Sequence, residues 1–158
     1  MVAPPRRVRQ ALRKEKGRMC PVCIASTAVI VAGAGSAGGI LAVCIGTLAS
    51  VPFSPAYSIS KAAAFSLTQS LRALWAGRGV KVHAVLAGPV NTDMTRSLNI
   101  PKVSPESVAR AILNGMEKGE EDIFPDPMSE GIADGWHSGV AKALERQFAA
   151  YTPESMAR

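Results

Sequence analysis

Residues 54–61 read SPAYSISK, and their spacing places the phenol of Tyr57 and the ammonium of Lys61 one helical turn apart on a common face. Ser54 followed by Pro55 predicts a helix start, with a hydroxyl at the N-cap and proline at the first helical position. The helix is expected to run to Gly77 or Gly79, so both reactive groups fall in its first two turns. A free phenol titrates near ~10, and a neighbouring cation favours the phenolate. Such a pair can protonate a carbonyl under reduction or take the proton of an alcohol under oxidation.

Downstream, the chain alternates between two periods. Within the helix, Phe65, Leu67, Leu71, Leu74 and Trp75 recur at near-helical spacing and are expected to pack. Val80 to Leu86 alternates little between apolar and polar and reads as a fully buried parallel strand, followed by Ala87-Gly88-Pro89. Ser104-Pro105-Glu106-Ser107 is a second helix start, with Val108, Ile112, Leu113 and Met116 as the core face and Gly119 as the end. Glu121 to Phe124, closed by Pro125, predicts a short edge strand. A last amphipathic helix is expected from about Glu130 to Tyr151, burying Ile132, Trp136, Val140, Leu144 and Phe148. From Ile40 onward the order is strand, helix, strand, helix, strand, helix, which implies a parallel sheet covered by helices.

The Tyr-x-x-x-Lys opening an alanine-rich helix, the strand ending Ala87-Gly88-Pro89, and the following Val90-Asn91-Thr92 together resemble the carboxyl-terminal half of a short-chain dehydrogenase/reductase. The resemblance covers about residues 48–150. It implies an α/β fold: a partial Rossmann-like parallel sheet with flanking helices, lacking the amino-terminal nucleotide-binding strands. It further implies an NAD- or NADP-dependent oxidoreductase acting on a small carbonyl or alcohol, with Tyr57 as proton donor or acceptor. Lys61 would lower the phenol's pKa and touch the nicotinamide ribose, while Val90 and Thr92 would hold the nicotinamide carboxamide. The segment Arg96 to Lys102 would cover the substrate. By the same resemblance the helix 56–76 packs against its counterpart in a homo-oligomer.

The chain departs from the family pattern in two places. Thirteen residues before the tyrosine, where the family carries the serine that polarises the carbonyl, stands Cys44. Thr47 and Ser50 are nearby hydroxyls, ten and seven residues before Tyr57. The order Gly88-Pro89 also differs from the commoner Pro-Gly of the family. An incomplete version of the enzyme, weakly active or inactive alone, is therefore expected.

Upstream, Met19 to Ser60 carries no charged side chain. Ser26 to Ile45 is long enough to cross a bilayer and follows a basic arm, but its glycines make it a poor helix. The alternative is two short buried strands, Thr27 to Ala32 and Ile40 to Ile45, joined by a glycine turn. Gly33-Ala34-Gly35-Ser36-Ala37-Gly38 spells G-x-G-x-x-G, but no long helix follows and the next acid is Asp93, so a small-residue turn is the simpler reading.

Of 18 basic side chains, seven lie in residues 1–18 against one acid, which leaves eleven basic and eleven acidic residues in the remainder. The basicity thus belongs to a disordered arm without aromatic residues, and no nucleic-acid partner is expected. Three cysteines fit a reducing, cytoplasmic setting. Cys20-Pro-Val-Cys23 has the spacing of a redox or zinc pair, but with only His83 and His137 as further imidazoles no metal site is expected, and buried or idle thiols are the simpler reading. The chain divides into an arm (1–18), an uncharged segment (19–47), the α/β half (48–150) and a tail (151–158). Two further readings stay open: a non-catalytic oligomerisation protein, and a membrane-anchored module using residues 26–45. A third explanation is that the first forty-odd residues are an altered reading of the region that should encode the middle of the enzyme.

Overall fold

The computed structural model describes residues 30–32, 38–52 and 54–156. The basic arm, the Cys20–Cys23 pair, and the glycine run between residues 33 and 37 lie outside the described residues. Within the stretch of membrane-spanning length, the described residues form two strands, β1 (Ile30–Ala32) and β2 (Gly38–Cys44), paired antiparallel. Among the described residues no helix is long and apolar enough to cross a membrane.

After β2 a 3-10 turn (Ile45–Thr47) leads to α1 (Pro55–Trp75), then β3 (Lys81–Ala87), α2 (Pro105–Lys118), β4 (Asp122–Ile123), α3 (Pro127–His137), α4 (Val140–Phe148) and the short α5 (Pro153–Met156). The four strands lie in the order β1-β2-β3-β4, with β2, β3 and β4 mutually parallel. This is the α/β sheet expected from the alternation of elements. In β3, residues 82–86 are all buried, because helices cover the sheet and neither face of the strand meets water. His83, inside that strand, hydrogen-bonds through Nδ1 to the carbonyl of Glu120 at 2.6 Å. Ala84 and Leu86, which share a face of the strand, pack with Ala64 and Phe65 of α1 and with Phe124 into the central cluster.

The helix termini follow their sequence signals in part. Ser104 caps α2 by accepting the Ser107 N–H at 3.1 Å, and Gly119 ends it at φ +73°, a left-handed conformation that glycine adopts without Cβ strain. At α1, Pro55 occupies the first turn but the Ser54 side chain makes no cap; instead Ser58 Oγ accepts the Val51 N–H at 2.9 Å and ties the preceding loop to the helix.

Three packing expectations are corrected. The buried stripe of α1 is Ser58, Lys61, Ala64, Phe65 and Thr68, whereas Leu67 and Leu74 are exposed. In α2, Leu113 is exposed and Gly115 is buried, because a Cβ there would stand 2.8 Å from Ile123 Cγ1. The single last helix is two, since Asp126-Pro127 starts α3 early and the chain breaks at Gly139, where a Cβ would meet the Gly135 carbonyl at 2.7 Å.

The break also turns α4 over. Lys142 is 1% exposed, while Val140 and Phe148 are 77% and 61% exposed and Ile132 and Leu144 are also exposed. Charge pairing decides this orientation. Lys142 Nζ donates to Asp122 Oδ2 at 2.6 Å, to Glu145 Oε2 at 3.0 Å and to Glu121 Oε2 at 3.0 Å. Arg72, from the far end of α1, reaches Asp122 Oδ1 at 2.8 Å and also pairs with Glu145. Trp136 adds its indole N–H to Asp122 Oδ2 at 2.9 Å and sets its ring edge-on against Phe65, centroids 5.5 Å apart. Burial opposes ionisation of Asp122, but Arg72, Lys142 and the Trp136 N–H outweigh it and hold the carboxyl below its ordinary range. Burial likewise opposes the Lys142 charge, and Asp122 with Glu121 outweighs it, so that ammonium titrates above the ordinary lysine range.

Candidate active site

The parallel strands β2 and β3 end side by side, Cys44 opposite Ala87. Chain direction therefore brings two segments to the carboxyl end of the sheet: the loop into α1 and the loop that follows β3. In open α/β sheets this is the end where ligands bind. Tyr57 stands in the first turn of α1 and is half-buried, and Lys61 follows one turn later. Lys61 is 7% exposed and belongs to the same sheet-facing stripe as Ala64 and Phe65, so core packing fixes its stem. Its Nζ lies 5.6 Å from the centre of the Tyr57 ring. The helix thus brings together a phenol and an ammonium, as the four-residue spacing predicts.

The loop after β3 is held at several points. The Gly88 N–H donates to Asp126 Oδ2 at 2.6 Å. Val103 gives its N–H to the Pro89 carbonyl at 3.1 Å and accepts the Asn91 N–H at 2.8 Å, pairing Val90 with Val103 as a parallel bridge. Buried Thr95 accepts the Thr92 N–H at 3.1 Å and donates its hydroxyl to the Val90 carbonyl. Lys102 Nζ closes the turn on the Thr95 carbonyl at 2.8 Å. Val90 is half-buried and Thr92 exposed, its hydroxyl 3.4 Å from that of Thr95.

Cys44 ends β2 and is half-buried, where a weakly polar thiol replaces the expected hydroxyl. Thr47 lines an open cleft of about 390 Å³ with Phe65, Gln69, Trp136, Leu144 and Phe148, and its Oγ1 is buried without a hydrogen bond to any described residue. Among the described residues, no group of three or more His, Cys, Asp or Glu side chains stands close enough to hold a metal.

The short chain dehydrogenase family model matches residues 19–102, more than half of the chain. The chain belongs to the short-chain dehydrogenase family. The match begins upstream of Leu48, where the resemblance in sequence begins, and so takes in the uncharged segment. Galactitol 2-dehydrogenase (L-tagatose-forming) of Cereibacter sphaeroides is 49% identical over 51 residues, covering 32% of this chain and 20% of that protein. The 2-dehydro-3-deoxy-D-gluconate 5-dehydrogenase of Pseudoalteromonas atlantica is 34% identical over 73 residues, 46% of this chain and 28% of that one. Among solved structures, a short chain dehydrogenase from Burkholderia cenocepacia in complex with NADP superposes with a TM-score of 0.60 at 30% identity, over 75% of this chain and 48% of the other. A short-chain dehydrogenase from Sphingobium yanoikuyae in complex with NADPH gives 0.60 at 18% identity, over 91% and 54%, a likeness of fold. This short-chain dehydrogenase chain therefore spans about half the length of those solved structures and a smaller share of the curated relatives.

Sequence reasoning missed Ser58, Thr95 and Asp126 as supports of the site. Asp126 carries a readable signal, the capping pattern Asp126-Pro127-Met128-Ser129, which the strand end at Phe124-Pro125 and the expected helix start at Glu130 conceal.

Proposed function

We propose that this chain carries the proton-transfer and nicotinamide-facing half of an NAD(P)-dependent oxidoreductase that interconverts a small alcohol and its carbonyl compound. The observation that carries the reading is the Tyr57–Lys61 pair, 5.6 Å from ammonium to ring centre, on a helix that begins at the carboxyl end of the parallel strands. Tyr57 gives its hydroxyl proton to the carbonyl oxygen in reduction and takes it back in oxidation. Lys61 favours the phenolate by its charge and binds the nicotinamide ribose.

The residues present fit the nicotinamide end of the cofactor. A buried ammonium lies beside a half-buried phenol, and a well-anchored loop offers the exposed Thr92 and the backbone of Val90 for the carboxamide. The nicotinamide, when bound, supplies or receives the hydride. Both curated relatives carry dehydrogenase names, and the Burkholderia structure contains NADP, which supports the reading by kinship. The α/β half, residues 48–150, is the working unit in this proposal, and α1 is its self-association helix.

Activity of the chain alone is expected to be weak, because Cys44 stands where the family carries its carbonyl-polarising serine. The same observation favours a second reading, an oligomerisation protein that keeps the fold without the reaction. Titration of the chain with NADPH and NADH, followed by quenching of Trp75 and Trp136, separates the two. Saturable binding followed by a loss of about 10²–10⁴-fold in turnover for Tyr57→Phe supports the enzyme. Absence of binding, or turnover indifferent to Tyr57→Phe, supports the second reading.

A further inference from the structure

We propose that Asp126 is a positioning residue for the nicotinamide loop, acting through the Gly88 N–H; this inference rests on the reading of Val90 and Thr92 given above. Asp126 lies outside the loop in sequence, 38 residues after Gly88, and is 3% exposed. Its carboxylate divides its lone pairs between two elements. Oδ1 accepts the Met128 and Ser129 N–H groups, each at 3.1 Å, and so caps α3. Oδ2 accepts the Ser129 hydroxyl at 2.8 Å and the Gly88 N–H at 2.6 Å.

Helix capping alone needs only one of these oxygens. The other holds the first residue after β3, at the point where the chain leaves the sheet toward Val90 and Thr92. The fit is close, since a Cβ on Gly88 would stand 2.6 Å from Asp126 Oδ1. Gly88 is therefore demanded by the carboxylate, which gives a physical reason for glycine immediately before Pro89. Proline has no N–H, so at position 88 it would remove the donor that Asp126 holds. Asp126 thus links the origin of α3 to the direction in which the loop departs.

The test compares Asp126→Asn with Ser129→Ala in the full chain. Asparagine keeps the volume and can still cap α3 through its oxygen, but then turns an amide donor toward the Gly88 N–H. Ser129→Ala weakens the same cap and leaves the Gly88 contact in place. Amide hydrogen exchange followed by NMR is expected to show Gly88, Asn91 and Thr92 exchanging ~10–100-fold faster in Asp126→Asn, the factor for losing a hydrogen bond to a charged group. Val82 to Leu86 should keep their protection, and Ser129→Ala should leave the loop amides at the wild-type rate. Unchanged loop exchange in Asp126→Asn, or a rise shared equally by Val82 to Leu86, would overturn the proposal. NADPH titration supplies the readout that capping alone does not move: an apparent Kd weakened about tenfold in Asp126→Asn but not in Ser129→Ala supports positioning, and equal affinities for wild type and Asp126→Asn overturn it. A wild-type chain that binds no NADPH removes the nicotinamide reading, and the exchange pattern then decides the anchoring by itself.

Discussion

Lys61 and Lys142 are both buried, yet their surroundings differ in kind. Around Lys142 stand the carboxylates of Asp122, Glu121 and Glu145, each within 3.0 Å, with Arg72 joined to the same three acids. Lys61 stands over the face side of a phenol, at the end of the sheet where loops gather. Burial of a charge therefore does not by itself mark a reactive group; the partner set does. A lysine matched by carboxylates holds elements together, here α1, β4 and α4. A lysine standing over the ring of a phenol can bias a proton transfer.

The comparison is broken most directly at Asp122. Asp122→Ala leaves Lys142 and Arg72 with fewer carboxylates in a dry site and is expected to cost about 3–5 kcal/mol, measured as a lower urea midpoint. Tolerance of that change would mean the cluster is ornament.

The pH dependence of stability sharpens the same point. Asp122 and Glu121 are held below the ordinary carboxylate range, Asp122 by its cations against burial and Glu121 by Lys142 and Arg72 against its partial burial. Their stabilisation is complete above that range and is lost as pH falls through the depressed folded values. Lys142, held above the ordinary lysine range, contributes fully below it and loses that contribution as pH rises through the raised folded value. Thermal melts between about pH 2 and about pH 8 should show stability falling below about pH 4, with a shallower acid limb in Asp122→Asn.

Smaller effects belong to the loop and the proton-transfer pair. Gly88→Ala is expected to lower stability by about 1–3 kcal/mol, because the new Cβ and the Asp126 carboxylate cannot share the space. Differential scanning calorimetry reads this as a lower Tm. Tyr57→Phe should change stability by no more than about 1 kcal/mol, because the ring and its packing remain and at most one hydroxyl contact at a half-buried position is lost. A large stability loss on removing that hydroxyl would place Tyr57 with the structural cluster and erase the contrast.

Much of this was legible in the residues. The 3.6-residue period places Tyr57 beside Lys61, the proline and serine at Ser104-Pro105 mark a helix start, and the lack of alternation in the largely apolar β3 marks a strand covered on both faces. The packing of the helices was less legible. Hydrophobic periodicity pointed to Leu67 and Leu74 on α1 and to Val140, Leu144 and Phe148 on α4, all of which are exposed. Periodicity reads the cost of leaving carbon in water and does not see a polar side chain whose partner lies 50 residues away in sequence, as Asp122 does from Arg72.

Local spacing, then, determined the elements, their order, and the pairing of phenol with ammonium, because each depends on contacts within one turn or one strand. Tertiary structure decided which side of α4 faces inward, where the last helix divides, and that Asp126 holds Gly88. Those outcomes depend on charges and hydrogen-bond donors that meet only after the sheet has assembled, and once they are buried together their mutual satisfaction outweighs the apolar stripe of a nine-residue helix.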